Sequence, residues 1–126
     1  MKIYSFEKLE VWQLSRQLTS VIYKTSQNFP SEEKFGLISQ IRRAMVSVCS
    51  NISEGGSRNS YKDKARFTEM AFTSLMEVLN QLIISFDLNY ITEKEYISIR
   101  SKIDPIANML NALHKSQLKK HNELNK

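Results

Sequence analysis

Apolar residues recur every three or four positions along most of the chain, which is the spacing that places side chains on one face of an α-helix. The pattern divides into four segments, at about 9–28, 31–54, 60–88 and 92–118. Their apolar stripes contain Leu14, Leu18 and Val21; Ile38, Ile41, Met45, Val48 and Ile52; Phe72, Leu75, Leu79, Leu82 and Phe86; and Tyr96, Ile99, Ile103, Ile106, Leu110 and Leu113. The sequence therefore predicts an all-α fold with four helices.

Three polar residues are predicted to begin helices, because a serine or threonine oxygen can accept a hydrogen bond from a free amide of the first helical turn. They are Ser31 for the second helix, Ser60 for the third and Thr92 for the fourth. Thr92 is followed three positions later by Glu95, which predicts a reciprocal capping box. Asp63 holds the corresponding position after Ser60 and favours the same kind of start.

Proline and glycine mark the predicted helix ends. Pro30 forces its predecessor out of the helical region, so the first helix should end before it. Gly55 and Gly56 are predicted to end the second helix, because glycine readily adopts the left-handed conformation found at helix C-termini. Pro105 lies inside the fourth apolar stripe and predicts a kink, because it removes one backbone hydrogen bond. The polar tail, 119–126, is expected to fray.

Composition and connection lengths define the predicted architecture. A chain of 126 residues, 41% of them hydrophobic, suits one domain, 1–126, with a single core. Three glycines and two prolines are few for a β-sandwich. Because short links favour antiparallel neighbours, we predict an antiparallel up-down-up-down four-helix bundle. The third segment is apolar over so wide an arc that its surplus surface could be covered by another subunit.

The balance of charge favours acidic partners. Lysine and arginine number 18 against 13 aspartates and glutamates, which gives a net charge of +5. This balance favours nucleic acid as a partner, although many basic proteins owe only solubility to it. No apolar run approaches the roughly 18 residues that a membrane helix needs, and the N-terminus lacks the apolar stretch of a signal peptide. Since the single cysteine also excludes an intramolecular disulfide, we expect a cytoplasmic protein without membrane contacts.

Residues that catalysis or metal binding would need are scarce. Zinc sites require clustered cysteine and histidine ligands, but Cys49 stands alone and His114 and His121 belong to the polar C-terminal region. The Glu-x-x-His motif of di-iron bundles is absent, and Cys49 has no acid–base partner near it in sequence. We therefore expect no catalytic residue, no metal, no cofactor and no enzymatic activity.

Basic residues cluster along the second helix and around the link that follows it. The candidate nucleic-acid-binding residues are Arg42, Arg43, Arg58, Tyr61, Lys62, Lys64 and Arg66. Arginine and lysine neutralise phosphates, and a tyrosine ring can stack on an unpaired base. Alternatives stay open: the small polar residues beside Arg43 could reflect packing by another helix, and the charges could pair with Glu54, Asp63 or Glu69. Arg42 and Arg43 could also be buried at a subunit interface.

Several segments of the chain share their sequence with a known family. They are FEKLEVWQ at 6–13, FP at 29–30, EKFGL at 33–37, SQIRRA at 39–44, VSV at 46–48, SNISEG at 50–55, Ser74, Leu75, Glu77 and Leu82, and LNYI at 88–91. In these segments the chain resembles the bacterial four-helix-bundle proteins encoded within intervening sequences of 23S rRNA genes, also known as S23 ribosomal proteins. Its departures are Cys49 in place of a common proline, Ser53 in place of alanine and Thr73 in place of glycine.

The resemblance implies more than the residues alone predict. It implies a four-helix subunit that assembles into a ring, typically a homopentamer, and a gene in or near ribosomal RNA operons. We therefore hypothesise a non-enzymatic oligomeric protein that binds nucleic acid, with RNA favoured over DNA. The alternative is a protein-interaction adaptor or structural oligomer, which would bind a protein partner and leave nucleic acid untouched.

Overall fold

The four apolar segments form four α-helices in the computed structural model, which describes residues 1–125. The helices are α1 Glu10–Ser26, α2 Leu37–Gly56, α3 Tyr61–Asp87 and α4 Glu93–Leu124. Two short 3-10 helices, Ser5–Lys8 and Ser31–Glu33, precede α1 and α2, and residues 1–125 contain no strand. The predicted all-α fold is confirmed.

Side-chain contacts show that neighbouring helices run antiparallel. In each pair of neighbours, the contact partners follow opposite orders along the two helices, so that a higher residue number in one helix meets a lower number in the other. The contacts are Ser26–Arg42 and Thr19–Cys49 between α1 and α2, Gln40–Gln81 and Ser47–Ser74 between α2 and α3, and Phe86–Tyr96 and Thr68–Gln117 between α3 and α4. Because α1 also packs against α4, the four helices close into an up-down-up-down bundle.

Apolar side chains from all four helices meet along the bundle axis and form one core. The largest fully buried ones are Leu18, Ile22, Ile41, Met45, Val48, Leu75, Val78, Leu82, Ile99, Ile103, Ile106 and Leu110. Burying one such side chain stabilises the fold by about 1.5–3 kcal/mol, so tertiary packing dominates over the helix propensity of single residues. Phe72 and Leu79 of the third stripe are only partly buried. Within residues 1–125, no helix has the length and apolar character that crossing a membrane requires.

Two of the predicted helix starts are formed by local capping. The Ser60 hydroxyl oxygen accepts a hydrogen bond from the Asp63 amide at 3.1 Å. Thr92 and Glu95 form the predicted capping box, with the Glu95 amide donating to Thr92 Oγ1 at 3.1 Å and the Thr92 amide donating to Glu95 Oε1 at 2.9 Å. Both motifs lie within four consecutive residues, so the sequence predicts them directly.

The second helix begins later than predicted, and Ser31 is not its N-cap. Ser31–Glu33 forms a separate 3-10 helix, and α2 starts at Leu37. The Glu33 carboxylate accepts a hydrogen bond from the Leu37 amide at 3.3 Å and so satisfies a free donor of the first turn. Gly36 permits this arrangement, because a Cβ there would collide with the Glu33 carboxylate.

The two glycines at the end of α2 act through close packing. Gly55 and Gly56 form the last turn of the helix, and neither has a positive φ, so the predicted left-handed cap is wrong. A Cβ on Gly55 would lie only 3.0 Å from the Cβ of Phe67 on α3. Glycine therefore lets α3 approach closely here, since a Cβ would press on Phe67. A positive φ of 62° falls instead on Asn89 in the α3–α4 link, a residue type that tolerates it.

The fourth helix is longer than predicted. It continues through Pro105 and past Leu118 to Leu124, so the predicted helix end at 118 is wrong, and fraying of the tail stays a prediction. Residue 126 of that tail lies outside the described residues. No glycine or proline follows Pro105, and lysine, leucine and glutamine are good helix formers. The kink at Pro105 stays a prediction, since the helix is continuous across it.

Candidate nucleic-acid interface

The predicted nucleic-acid-binding residues do not form one surface. Arg42 and Arg43 lie in the first half of α2, whereas the other predicted residues lie beyond its C-terminal end and on the first turns of α3. Arg42 precedes Arg58 by 16 residues, which is on the order of 20 Å along a helix axis. The set therefore divides into groups at different heights of the bundle.

Arg42 is engaged by the protein itself. Its Nε donates to the Ser26 hydroxyl at 2.8 Å and a terminal guanidinium nitrogen donates to the Tyr23 carbonyl oxygen at 3.1 Å. The guanidinium also lies 4.6 Å from the centroid of the Tyr23 ring. The side chain is partly buried, so it fastens α2 to the last turn of α1 and is a poor candidate for phosphate contacts.

Arg43 is exposed beside a shallow polar groove between α2 and α3. The groove has a volume of about 330 Å³ and is lined by Gln40, Arg43, Ala44, Ser47, Ser74, Glu77 and Gln81. The hydroxyls of Ser47 and Ser74 are hydrogen-bonded at 2.9 Å. The small polar residues of α2 are therefore explained at Ser47 by packing against α3, which is the alternative interpretation of the sequence pattern. Gln81 Oε1 is buried here without a hydrogen-bond partner.

The remaining predicted residues lie together where α2 ends and α3 begins. With one lysine of α4 they form a surface that we name the basic end: Arg58, Tyr61, Lys62, Lys64, Arg66 and Lys120. The Lys64 Nζ lies 3.5 Å from the Gly55 carbonyl oxygen and 3.4 Å from that of Gly56. A lysine is favourable at this place, because the C-terminal carbonyls of a helix carry partial negative charge.

Two arginines of the basic end share one aromatic ring. The guanidinium carbons of Arg58 and Arg66 lie 4.5 Å and 4.8 Å from the centroid of Phe67. Phe67 itself is buried, whereas both arginines are exposed. Each cation–π contact at such a site is worth about 0.5–1 kcal/mol. The ring therefore positions two positive charges close together at the surface.

Acidic neighbours pair with little of this charge. Of Glu54, Asp63 and Glu69, only Asp63 lies within 4.0 Å of a predicted basic side chain in residues 1–125, at 3.9 Å from Arg66 Nε. Both side chains of that pair are more than half exposed, so it is worth at most about 1 kcal/mol. Glu69 instead lies 3.9 Å from His114. The alternative of internal ion pairs therefore accounts for one basic residue of the basic end.

The sequence interpretation missed Lys120. Its Nζ lies 5.5 Å from the centroid of the Tyr61 ring, which brings α4 into the basic end. The sequence places this residue in the polar tail, and only the turns of α4 beyond Leu118 bring it to the basic end. The available signal was the lack of glycine and proline after Pro105, which favours a helix that continues past Leu118.

The Cys49 thiol is partly buried between α2 and α1. Burial raises the pKa of its thiol, and the hydrogen bond with Thr19, at 3.4 Å between Sγ and Oγ1, offsets this only in part. The thiol is therefore protonated and weakly nucleophilic at neutral pH. Within residues 1–125, no three histidine, cysteine, aspartate or glutamate side chains lie close enough together to hold a metal ion.

Comparison with known proteins identifies the family. The family profile described as 23S rRNA-intervening sequence protein matches residues 7–112. A similar fold occurs in the crystal structure of a protein with unknown function from the S23 ribosomal protein family from Bacteroides thetaiotaomicron VPI-5482, with a TM-score of 0.75, 26% sequence identity, and coverage of 83% of this chain and 98% of that chain. No curated protein matches the chain significantly. The resemblance stated from the sequence is confirmed, and the chain belongs to the 23S rRNA-intervening sequence protein family.

Proposed function

We propose that this protein binds nucleic acid in the bacterial cytoplasm, with RNA preferred to DNA, and that it does so without catalysing a reaction. The observation that carries the proposal is the convergence of basic side chains from separate parts of the chain. Arg58 in the α2–α3 link and Arg66 on α3 both contact the ring of Phe67, and Lys120 of α4 lies over Tyr61. A basic cluster of this kind is the electrostatic footprint of a phosphate-binding surface.

Unpaired charge and an aromatic ring make the basic end suited to a nucleic acid. Each phosphate that a lysine or arginine neutralises releases counterions, and this release drives binding. Tyr61 adds a ring on which an unpaired base can stack. The family description names an intervening sequence of 23S rRNA, and this association is the reason for preferring RNA to DNA as the partner.

Fluorescence anisotropy with labelled single-stranded RNA and DNA, across a salt titration, tests the proposal. We expect tighter binding to RNA and a slope of log affinity against log salt of about −3, since single strands contribute about −0.7 for each neutralised phosphate. Absence of binding to either strand at about 50 mM salt, where electrostatic contacts are strong, would contradict the proposal. The protein-interaction alternative would then take its place.

We also propose that the subunits assemble into a ring, a homopentamer as the family resemblance implies. Exposed apolar side chains near the end of α3 and the start of α4 support assembly. Ile83, Ile84, Leu88 and Ile97 are 37%, 38%, 48% and 58% exposed. Exposed large apolar side chains concentrated in one region of a protein commonly mark an interface. A ring would repeat the basic end around its axis, so that weak single sites add through multivalency.

Light scattering after size-exclusion chromatography tests the assembly. The wild-type mass should be that of a pentamer of 14.7 kDa subunits, and Ile84→Lys should reduce it, because a charge would be buried in the interface. Thr73→Lys is the matched control, since it places the same charge at an exposed position of α3. A wild-type mass of one subunit would contradict the ring and leave the apolar surface for a different protein partner.

A further inference from the structure

We propose that a cavity at the basic end binds one unpaired nucleobase of a single-stranded RNA. The inference rests on the proposed nucleic-acid binding and specifies which part of the RNA the protein recognises. The cavity has a volume of about 290 Å³ and lies between the end of α2, the start of α3 and the second half of α4. We name it the base pocket, and its walls include Ile52, Tyr61, Lys64, Leu113, Gln117 and Lys120.

Apolar surface in the base pocket favours a base over a free anion. Leu9, Ile52 and Leu113 line the cavity together with the Tyr61 side chain. A phosphate would lose hydration against these apolar side chains, and the two lysines of the wall can reach it equally well from outside the cavity. A planar heterocycle gains from the burial of its faces and from stacking on an aromatic ring.

Polar groups in the wall suit the edge of a base. The Thr68 hydroxyl donates to Gln117 Oε1 at 2.7 Å, which holds the Gln117 amide in place. Gly55 and Gly56 line the same cavity. Amide and carbonyl groups provide the donors and acceptors that single-stranded bases present on their Watson–Crick and Hoogsteen edges.

Lysines in and beside the base pocket supply positive charge for the flanking phosphates. Lys64 and Lys120 line the cavity, and Lys62 and Arg58 are exposed beside it on the basic end. A nucleotide with its base in the pocket therefore has positive charge within reach of its phosphates. Bases within a duplex are paired and stacked, so only a single strand or an unpaired loop can supply one at low cost.

Filling the base pocket without changing any charge tests the inference. Ser116 lines the cavity and is exposed on α4, so Ser116→Trp should occupy the cavity without disturbing the core. We expect affinity for single-stranded RNA to fall roughly tenfold, which is a typical contribution of one stacked base. Affinity for the same RNA annealed to its complement, and the salt slope for both, should stay unchanged. Asn108→Trp, at an exposed position of α4 outside the cavity, is the matched control.

An oligoribonucleotide of the same length without bases provides a second comparison, because it keeps the phosphates and removes the proposed ligand. Wild-type protein should bind it roughly tenfold more weakly than normal RNA, and Ser116→Trp should bind both equally. If Ser116→Trp binds normal RNA as tightly as wild type while the salt slope persists, the base pocket is wrong and the proposed phosphate binding stands. If wild type binds none of these strands, the proposed function fails, and the base pocket fails with it.

Discussion

The two ends of the bundle use arginine and tyrosine differently. The end opposite the basic end, which we name the far end, is formed by Tyr23, Ser26, Glu33, Arg42 and Tyr90. There Arg42 donates to Ser26 at 2.8 Å and to the Tyr23 carbonyl oxygen at 3.1 Å, and the Tyr90 hydroxyl donates to the Glu33 carboxylate at 2.9 Å. The polar groups of the far end are therefore occupied in holding helices and links together.

At the basic end the same residue types are left with capacity for a ligand. Arg58 and Arg66 rest on Phe67, and Tyr61 lies beneath Lys120. Cation–π contacts orient a guanidinium, and they leave its N–H groups free to donate hydrogen bonds. The number of positive charges therefore does not by itself locate a binding surface. A binding surface needs basic side chains whose N–H groups are not already hydrogen-bonded within the protein.

The largest expected effect is at Arg42. Arg42→Ala should lower the free energy of unfolding by about 2 kcal/mol, because it removes hydrogen bonds to a partly buried charged group. Arg58→Ala should cost only about 0.5 kcal/mol, since its ring contact is at the surface. Urea unfolding measures both changes. RNA affinity should fall more in Arg58→Ala than in Arg42→Ala. Equal destabilisation by the two variants would remove the distinction between the ends.

Alanine is expected to affect the free energy of unfolding differently at the two glycines of α2. Gly55→Ala should destabilise the fold by about 1 kcal/mol, because overpacking against Phe67 exceeds the gain in helix propensity. Gly56→Ala should be neutral or slightly stabilising, since its Cβ would meet the Phe6 Cβ at a more tolerable 3.4 Å. Urea unfolding of both variants measures the difference. Equal changes in the free energy of unfolding would contradict the tight packing of Gly55 against Phe67.

The smallest expected effect is at Tyr90, and it depends on pH. The hydrogen bond to Glu33, and secondarily burial, raise the pKa of Tyr90. The folded state therefore favours the protonated phenol, so this stabilisation is complete below the unfolded pKa of about 10 and is lost as pH rises through the higher folded pKa. Tyr90→Phe should lower the free energy of unfolding slightly at neutral pH, because it removes the hydrogen bond to Glu33.

Urea unfolding at neutral pH and at about pH 10.5, which spans the ordinary tyrosine pKa, measures this dependence. Wild type should lose more stability between the two values than Tyr90→Phe. An equal loss of stability in Tyr90→Phe and wild type over this pH interval would show that the Tyr90–Glu33 contact contributes nothing at the far end.

The fold was largely predictable because its main signals are local. The three- and four-residue spacing of apolar positions reports which face is buried, and the capping residues Ser60 and Thr92 act on amides within the same four residues. The errors arose where contacts outside the motif decided the outcome. At Ser31 the Glu33 carboxylate and Gly36 moved the helix start. At Gly55 the reason for glycine is a neighbouring helix.

The candidate site was less predictable because it depends on contacts between distant parts of the chain. Arg42 and Arg58 look alike in sequence, and only the fold shows that Arg42 is bound to Ser26, 16 residues before it. Lys120 joins Tyr61 across 59 positions of sequence. Neither relation follows from composition or periodicity.

The most direct test of nucleic-acid binding by the basic end is the salt dependence of RNA affinity in two double variants. Arg58→Ala with Lys62→Ala removes two charges at the basic end, and Lys24→Ala with Lys94→Ala removes two exposed charges at the opposite end. The magnitude of the log–log slope should fall by about 1.4 in the first variant, at about 0.7 for each lost phosphate contact, and should not change in the second. An equal fall in both variants, or none in the first, would contradict the assignment.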